Sequence, residues 1–229
     1  MEQQFSIIPT VNFMLSRIIN KLKLLFPANR KKVFTSIHKK NTWGSEESIS
    51  GPGSTLEYTA GIRQQLPVLL HSLKIKTLLD APCGDCNWIS TVDLTEISYT
   101  GADIVPDIIQ ANKIKYPGKK FIVADIVSDE LPAADMVLCR DCFIHLRKKE
   151  ITEMIRNFKR SGIKYMLAST YPVQENTEIL TGHFRPVNLE LSPFNLPAPI
   201  NKMDDHPEGS PPRYLALWLL EDVKLYTVT

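Results

Sequence analysis

Short apolar runs alternate with helix-like segments through the middle of this chain, and this alternation limits the folds that it can adopt. Five runs have the length of buried strands, at residues 77–80, 99–103, 121–125, 136–139 and 165–168. Between them, one predicted helix begins at Pro106 and stops at Pro117, and another carries apolar residues over 151–158 and ends at Gly162. The alternation predicts a parallel sheet that is covered by helices on both faces.

The C-terminal part of the chain breaks this rhythm. Residues 172–212 contain eight of the 16 prolines and no convincing helix, which is typical of a functional loop such as a lid or substrate wall. Residues 214–220 and 224–228 are then predicted to pair as an antiparallel hairpin at the edge of the sheet. The domain organisation that we expect is an N-terminal segment over 1–40 and one domain over 41–229.

The N-terminal segment is strongly basic. Residues 1–45 hold eight lysines and arginines against Glu2 alone, a net charge of +7, so the rest of the chain carries −5 of the total of +2. Apolar residues recur at helical spacing over 11–26, which predicts a basic amphipathic helix. Such a helix packs on its own domain, lies on an anionic membrane or contacts a partner, and the sequence leaves these alternatives open.

Composition excludes several classes of protein. No apolar run approaches the ~18 residues that a membrane-spanning helix needs. Four cysteines are too few for a disulfide scaffold, which favours a reducing, cytoplasmic compartment, with or without peripheral membrane contact. The positive charge is confined to the N-terminal segment, and no interleaving of aromatic and basic residues follows it, so a nucleic-acid partner is not favoured.

Three of the predicted strands end in aspartate, at Asp80, Asp103 and Asp125. The intervals are 23 and 22 residues, one strand and helix each, so the three carboxylates are expected to converge on one crevice at the carboxyl edge of the sheet. The turn after Asp80 is made of small residues up to Gly84, which lets a ligand approach the backbone.

Residues 43–141 resemble the class I S-adenosylmethionine-dependent methyltransferases. In that family the first strand ends in acidic-x-Gly-x-Gly-x-Gly; Asp80 and Gly84 match this turn, while Pro82 and Cys86 replace its first and third glycines. The segments Trp-Gly…Glu-Ser-x-Ser-Gly-Pro-Gly-Ser and Cys-Arg-Asp-Cys-x-x-His are also similar to a bacterial subgroup of undefined acceptor. The resemblance implies a Rossmann-like three-layer sandwich, with a mostly parallel seven-stranded sheet and an antiparallel edge hairpin.

The resemblance also implies roles for individual residues. Asp103 corresponds to the acid that holds the ribose hydroxyls of the cofactor, and Asp125 to the acid near the adenine amine. The cofactor-binding residues that we predict are Trp43, Ser50, Gly51, Gly53, Ser54, Arg63, Asp80, Pro82, Cys83, Gly84, Asp103, Ile104, Asp125, Ile126, Cys139 and Arg140. No Gly-x-Gly-x-x-Gly or Gly-Lys-Ser/Thr is present, so a nicotinamide oxidoreductase is a weaker alternative and a P-loop is excluded.

The glycine-containing segment 50–55 precedes a predicted helix over 59–73. Free amides at a helix start can bind an anion, here the methionine carboxylate of the cofactor, and Arg63 about two turns further along could pair with the same group. The alternative interpretation of this segment is a helix cap joined to a linker.

The catalytic candidates are Arg140, Asp141 and His145, which follow the fourth strand. If the acceptor is a hydroxyl, a base must remove its proton, and histidine is favoured over Asp141 because its ordinary pKa lies near neutral pH. Arg140 could orient an acidic acceptor or pair with Asp141. A purely structural alternative is that His145 caps the helix that follows.

The four cysteines form two Cys-x-x-Cys pairs, 83/86 and 139/142, with the spacing of metal ligands. A structural zinc or an iron–sulfur cluster is geometrically conceivable. We nevertheless predict no metal, because Cys83 belongs to the cofactor turn and buried cysteine is usually a small apolar residue.

We therefore predict an S-adenosylmethionine-dependent methyltransferase that acts on a hydroxyl of a small molecule or glycan. Two alternatives are a protein side-chain methyltransferase and a cofactor-binding interaction protein without turnover.

Overall fold

A computed structural model of the chain describes residues 26 and 28–225. One seven-stranded sheet organises it, with the order β3-β2-β1-β4-β5-β7-β6. The strands are β1 Thr77–Asp80, β2 Ser98–Asp103, β3 Lys120–Val123, β4 Met136–Cys139, β5 Tyr165–Thr170, β6 Asn201–Asp204 and β7 Tyr214–Leu219. The first five strands are parallel, and β7 runs antiparallel to both β5 and β6. The five predicted parallel strands are thus confirmed within two residues at their ends.

Four α-helices flank this sheet in the described part of the chain. They are α1 Arg30–Lys39, α2 Ala60–Ser72, α3 Pro106–Lys115 and α4 Lys148–Arg160. None of them combines the length and apolar character needed to cross a membrane. The helix predicted over 11–26 falls almost wholly on residues 1–25, which lie outside the described residues.

The core has two layers, one on each side of the sheet. In β4, Met136 and Leu138 pack with α2 and α3, whereas Val137 and Cys139 pack with α4. This alternation follows from the two-residue period of a strand, and it requires every residue of β4 to be apolar. The three-layer α/β arrangement predicted from the sequence is confirmed.

Helix α4 shows how local sequence and packing agree. At its start the Arg147 amide donates to the Glu150 carboxylate at 2.9 Å, which closes one half of a capping box. Gly162 follows its end with φ +72°, a left-handed conformation suited to glycine. The apolar stripe between these ends is fully buried against the sheet and consists of Ile151, Met154, Ile155 and Phe158.

The predicted edge hairpin exists, but the prediction was correct for only one of its two strands. β7 pairs with β6, which lies inside the segment predicted to be loop. Only Met203 of β6 is buried, so the strand has almost no apolar pattern to reveal it. After Leu220 the chain turns so that Val223 enters the core, and residues 224 and 225 are irregular.

Helix α1 was not predicted. It begins after Asn29, whose side chain accepts a hydrogen bond from the Lys32 amide at 2.9 Å. Its residues Val33 and Ile37 lie directly against Gly182 of the proline-rich segment, where a Cβ atom would come within 2.5 Å of Val33. The helix is therefore packed on the C-terminal half of the chain.

The strand order reverses between β1 and β4, since β1 pairs with β2 on one side and β4 on the other. In an open α/β sheet the helices on the two sides of such a point diverge and leave a crevice at the carboxyl ends of the strands. The fold thus sets the place where a ligand site can form.

The packing of α4 makes a stability prediction. Replacing Phe158, which is fully buried, by alanine should lower the free energy of unfolding by about 3–5 kcal/mol, because it leaves a cavity between helix and sheet. The control is Val68→Ala on α2, where the side chain is 70% exposed and the change should stay within about 0.5 kcal/mol. Denaturant unfolding measures both, and similar losses for the two variants would contradict this account of the core.

Candidate functional site

A cavity of about 450 Å³ opens at the switch point of the sheet. This volume is within the usual range for small-molecule sites. Asp80, Asp103 and Asp125 all line it, so the three strand-end carboxylates meet in one place. Most of the other residues proposed for the site from the sequence line it too: Trp43, Ser50, Gly51, Gly53, Ser54, Pro82, Cys83, Gly84, Ile104, Ile126, Arg140, Asp141 and His145.

Asp103 is held by the backbone around it. Its carboxylate accepts hydrogen bonds from the Val105 amide at 2.9 Å and the Gly84 amide at 3.2 Å. Burial raises the pKa of Asp103 to about 6, although these amides favour the ionised form. A carboxylate fixed in this way beside the turn that follows β1 can accept further hydrogen bonds from a ligand.

Asp80 lies beneath the same turn. The Tyr99 hydroxyl donates to it at 2.7 Å, and Tyr99 also contacts Cys86, with 3.4 Å between the hydroxyl oxygen and the sulfur. Burial raises the pKa of Asp80 to about 7, and the nearby charge of Asp103 adds to the rise. Two carboxyl groups that have no ion-pair partner among the described residues therefore lie near each other at this end of the cavity.

The turn between β1 and the next segment depends on two left-handed residues. Gly84 has φ +50°, and a Cβ atom there would lie only 2.1 Å from the Ser50 hydroxyl. Cys86, at the position of the third glycine of the motif, has φ +57°, which is uncommon for a residue with a side chain. Asn112 stabilises this conformation, since its amide donates to the Gly84 carbonyl at 2.7 Å and contacts the Cys86 sulfur at 3.6 Å.

The segment 45–54 is attached to this turn by one carboxylate. Asp85 accepts hydrogen bonds from the Ser48 hydroxyl at 2.9 Å, the Ile49 amide at 3.0 Å and the Ser50 hydroxyl at 3.0 Å. Sequence reasoning did not select Asp85, because its partners lie about 36 residues away. The glycine-containing segment is consequently a fixed wall of the cavity and not a free linker.

Asp125 has a partner that the sequence did not predict. Arg30 of α1 binds both of its carboxylate oxygens, with Nε at 3.0 and 2.9 Å, and also reaches Glu150 at 3.2 Å through Nη1. Arg30, Phe34 and His38 follow each other at four-residue spacing and all line the cavity. The Asn29 cap and this spacing are the signals from which the helix could have been found.

Buried ion pairs join the residues after β4 to the loop between β6 and β7 at the cavity. Arg140 binds Asp205 through Nε and Nη2, both at 3.0 Å, and Arg213 binds Asp141 at 2.6 Å. Arg213 also donates to the Asp205 carbonyl at 2.7 Å and lies 3.0 Å from its carboxylate. Although burial opposes ionisation, Arg140 and Arg213 hold the pKa of Asp141 below its usual value.

His145 lies between aromatic rings at the cavity wall. Its ring stacks on Trp43 with 5.0 Å between centroids, and the ring of Phe184 is 6.2 Å away. Its Nδ1 is 2.9 Å from the His183 carbonyl, which can only accept, so Nδ1 carries the proton and Nε2 is the acceptor of the neutral ring. Burial lowers the pKa of His145, which keeps the ring neutral near pH 7.

The short turn that carries His145 is fixed from behind. Arg185 donates to the Phe143 carbonyl at 2.7 Å and to the Leu146 carbonyl at 2.8 Å, and the Gly182 amide donates to the His145 carbonyl at 2.8 Å. The proline-rich segment thus holds the histidine in place through backbone contacts.

Two residues proposed for the cofactor site lie elsewhere, and these predictions need correction. Arg63 does not line the cavity; it donates to the Leu56 carbonyl at 2.9 Å and to the Thr91 hydroxyl at 3.4 Å. Cys139 is fully buried in the core beneath α4, because the alternation of β4 directs it to that face. Sequence reasoning also left several lining residues out of the site: Arg30, Phe34, His38, Tyr58, Asp85, Cys86, Trp88, Phe184, Pro211 and Arg213.

All four cysteines are free and buried. A hydrogen bond with Cys86, together with burial, raises the pKa of Cys83, and burial with a hydrogen bond to Cys142 raises the pKa of Cys139. Within residues 28–225, no group of three or more histidine, cysteine or acidic side chains is arranged to hold a metal ion.

The sequence matches no protein-family model and no curated protein. Solved structures share the fold at low identity. A magnesium protoporphyrin IX methyltransferase from Synechocystis PCC 6803, with bound S-adenosylmethionine, aligns with a TM-score of 0.54 and 13% identity over 83% of this chain and 97% of that chain. The methyltransferase domain of bacterial CtHen1 gives 0.53 and 13% over 69% and 97%, and the PH0226 protein of Pyrococcus horikoshii OT3 gives 0.51 and 16% over 69% and 88%. The chain has the fold of class I methyltransferases.

The two buried acids predict how stability depends on pH. Burial raises the pKa of Asp80 to about 7 and of Asp103 to about 6, so the folded chain retains protons that the unfolded chain releases near pH 4. Their contribution to the free energy of unfolding should therefore fall as pH rises from about 4 to about 7.

Asp80→Asn should flatten this pH dependence, as measured by denaturant unfolding at several pH values. Asp93→Asn is the control: hydrogen bonds from Thr95 lower the pKa of exposed Asp93, so it is ionised throughout the range. Equal pH slopes for wild type and Asp80→Asn would show that Asp80 does not hold its proton in the fold.

Proposed function

We propose that the protein is an S-adenosylmethionine-dependent methyltransferase whose acceptor is a hydroxyl of a small molecule or glycan. The observation that carries the proposal is the meeting of Asp80, Asp103 and Asp125 in one cavity at the switch point of a class I methyltransferase fold. Residues 41–229 form the catalytic domain in this proposal, and residues 1–40 contribute Arg30, Phe34 and His38 to its cavity.

The cavity fits S-adenosylmethionine at its acidic end. Asp103 offers a fixed carboxylate that can accept both hydroxyls of a ribose, and Ile104 and Ile126 supply apolar surface beside it for a purine ring. The two acids with raised pKa values suit a ligand that brings positive charge. The cofactor, when bound, supplies a methyl group on a sulfonium sulfur.

Asp125 has a second role beside the one that the family resemblance implied. Arg30 binds both of its carboxylate oxygens, so we assign Asp125 to the anchoring of α1, and the lone pairs that remain can accept a hydrogen bond from the adenine amine. Breaking this pair would leave the partly buried Asp125 carboxylate without its positively charged partner, which is costly.

His145 is the residue that we propose as general base. Its Nδ1–H is committed to the His183 carbonyl, so Nε2 is free to accept the proton of the acceptor hydroxyl. Asp141 is bound by Arg213 and stays ionised, and Arg140 is bound by Asp205. These two residues therefore position the wall of the acceptor site, and neither is available as a base or as an anchor for an acidic acceptor.

The compartment that we propose is the cytoplasm. The four free, buried thiols support a reducing environment.

Asp103→Asn tests the cofactor site. The change removes the negative charge and one acceptor oxygen, and a hydrogen bond to a charged group is worth about 1.5–3 kcal/mol, so affinity for S-adenosylhomocysteine should fall about 10- to 150-fold by calorimetry. The control is Asp107→Asn, at an exposed position in the first turn of α3, which should bind as the wild type does. Unchanged affinity of Asp103→Asn, with the fold intact by circular dichroism, removes Asp103 from the site.

His145→Ala tests the catalytic role. Turnover should fall by about 10²–10⁴-fold, while affinity for S-adenosylhomocysteine stays within about threefold. In the wild type, kcat should decline only as pH falls below the ordinary histidine range, since the pKa of His145 is lowered. His71→Ala, exposed on α2, is the control. A collapse of cofactor affinity in His145→Ala would instead mean a structural role.

A measurement of turnover requires an acceptor substrate. A screen of cell extracts with labelled S-adenosylmethionine, read by mass spectrometry as a gain of one methyl group, supplies it. Tight cofactor binding without any methylated product would favour a non-catalytic binding protein.

A further inference from the structure

The acceptor end of the cavity has an aromatic wall. Trp43, His145 and Phe184 follow one another along it, with centroid distances of 5.0 and 6.2 Å between neighbours. The Phe184 side chain lines the cavity and is nevertheless 63% exposed. Much of its ring surface is therefore open to a ligand, and aromatic side chains bind flat apolar surfaces by stacking.

The same end carries no spare positive charge among the described residues. Three guanidinium groups line the cavity, and each is bound by carboxylates: Arg30 by Asp125 and Glu150, Arg140 by Asp205, and Arg213 by Asp141. To bind an arginine here, a phosphate or carboxylate on the acceptor would have to displace one of these carboxylates. That exchange would leave a buried charge without its partner, which is strongly unfavourable.

We propose, on the basis of the methyltransferase function above, that the acceptor is an uncharged ring bearing a hydroxyl. The ring lies against Phe184, and its hydroxyl reaches His145. A phenol and the apolar face of a sugar both present this chemistry, whereas anionic acceptors are selected against. The neutral state of His145 supports the same conclusion, because a neutral base creates no positive charge that would attract an anion before the reaction.

Matched ligand pairs test the proposal on the full chain saturated with S-adenosylhomocysteine. The pairs are catechol against 3,4-dihydroxybenzoate, and methyl glucoside against methyl glucuronide, measured by calorimetry. In at least one pair, the uncharged ligand should bind at least tenfold more tightly than the ligand that carries the carboxylate. The pair that shows this difference tells whether the acceptor ring is a phenol or a sugar. Tighter or equal binding of the carboxylates, or no binding of either uncharged ligand, overturns the proposal.

A variant pair tests the stacking contact. Phe184→Ser should weaken binding of the uncharged ring about five- to tenfold and leave the dissociation constant of S-adenosylhomocysteine within twofold. Ile200→Ser, at another exposed apolar residue that does not line the cavity, should change neither. An unchanged ring affinity in Phe184→Ser overturns the acceptor proposal alone. Failure of the wild type to bind S-adenosylhomocysteine overturns the proposed function itself.

Discussion

Two buried arginines hold three distant parts of the chain around the cavity. Arg140 follows β4, Arg213 precedes β7, and both meet Asp205 in the loop between β6 and β7. Gly53 brings the cofactor wall into the same cluster, since a Cβ atom there would lie 2.9 Å from the Asp141 carboxylate. Removing one partner of such a network leaves a buried charge, so the shape of the acceptor site depends on all of these ion pairs together.

The cofactor end is built differently, from backbone and neutral groups. Amides hold Asp103, a tyrosine hydroxyl holds Asp80, and neither carboxylate has an arginine within ion-pair distance in the described residues. Burial raises the pKa of both, as it does that of Asp205, whereas Arg140 and Arg213 hold the pKa of Asp141 below its usual value in spite of burial. The cavity thus has one end where two carboxyl groups have no arginine in ion-pair contact among the described residues. At the other end, which we propose for the acceptor, each carboxylate is paired with an arginine.

The sequence could predict what depends on short-range pattern. Asp80 and Asp103 were found because buried strands are visible as apolar runs and their ends face one edge of the sheet. Arg30 and Arg213 could not be found in this way, since each meets its aspartate across 95 and 72 residues of chain. Arg63 was selected by its place in a helix, but the direction of a side chain depends on tertiary contacts that spacing does not contain.

The uneven distribution of charge is consistent with the two ligands that we propose for the cavity, a cationic cofactor and an uncharged acceptor. Ionised Asp80 and Asp103 are destabilised by burial, and a cationic ligand would recover part of that cost by favouring the charged forms of both. An anionic acceptor gains no arginine partner, because the arginines beside Asp141 and Asp205 are already paired. In this proposal a positively charged methyl donor and an uncharged acceptor are the combination that leaves each buried group with its partner. Two of the six carboxylates have no arginine in ion-pair contact among the described residues, and the other four are paired with the three arginines.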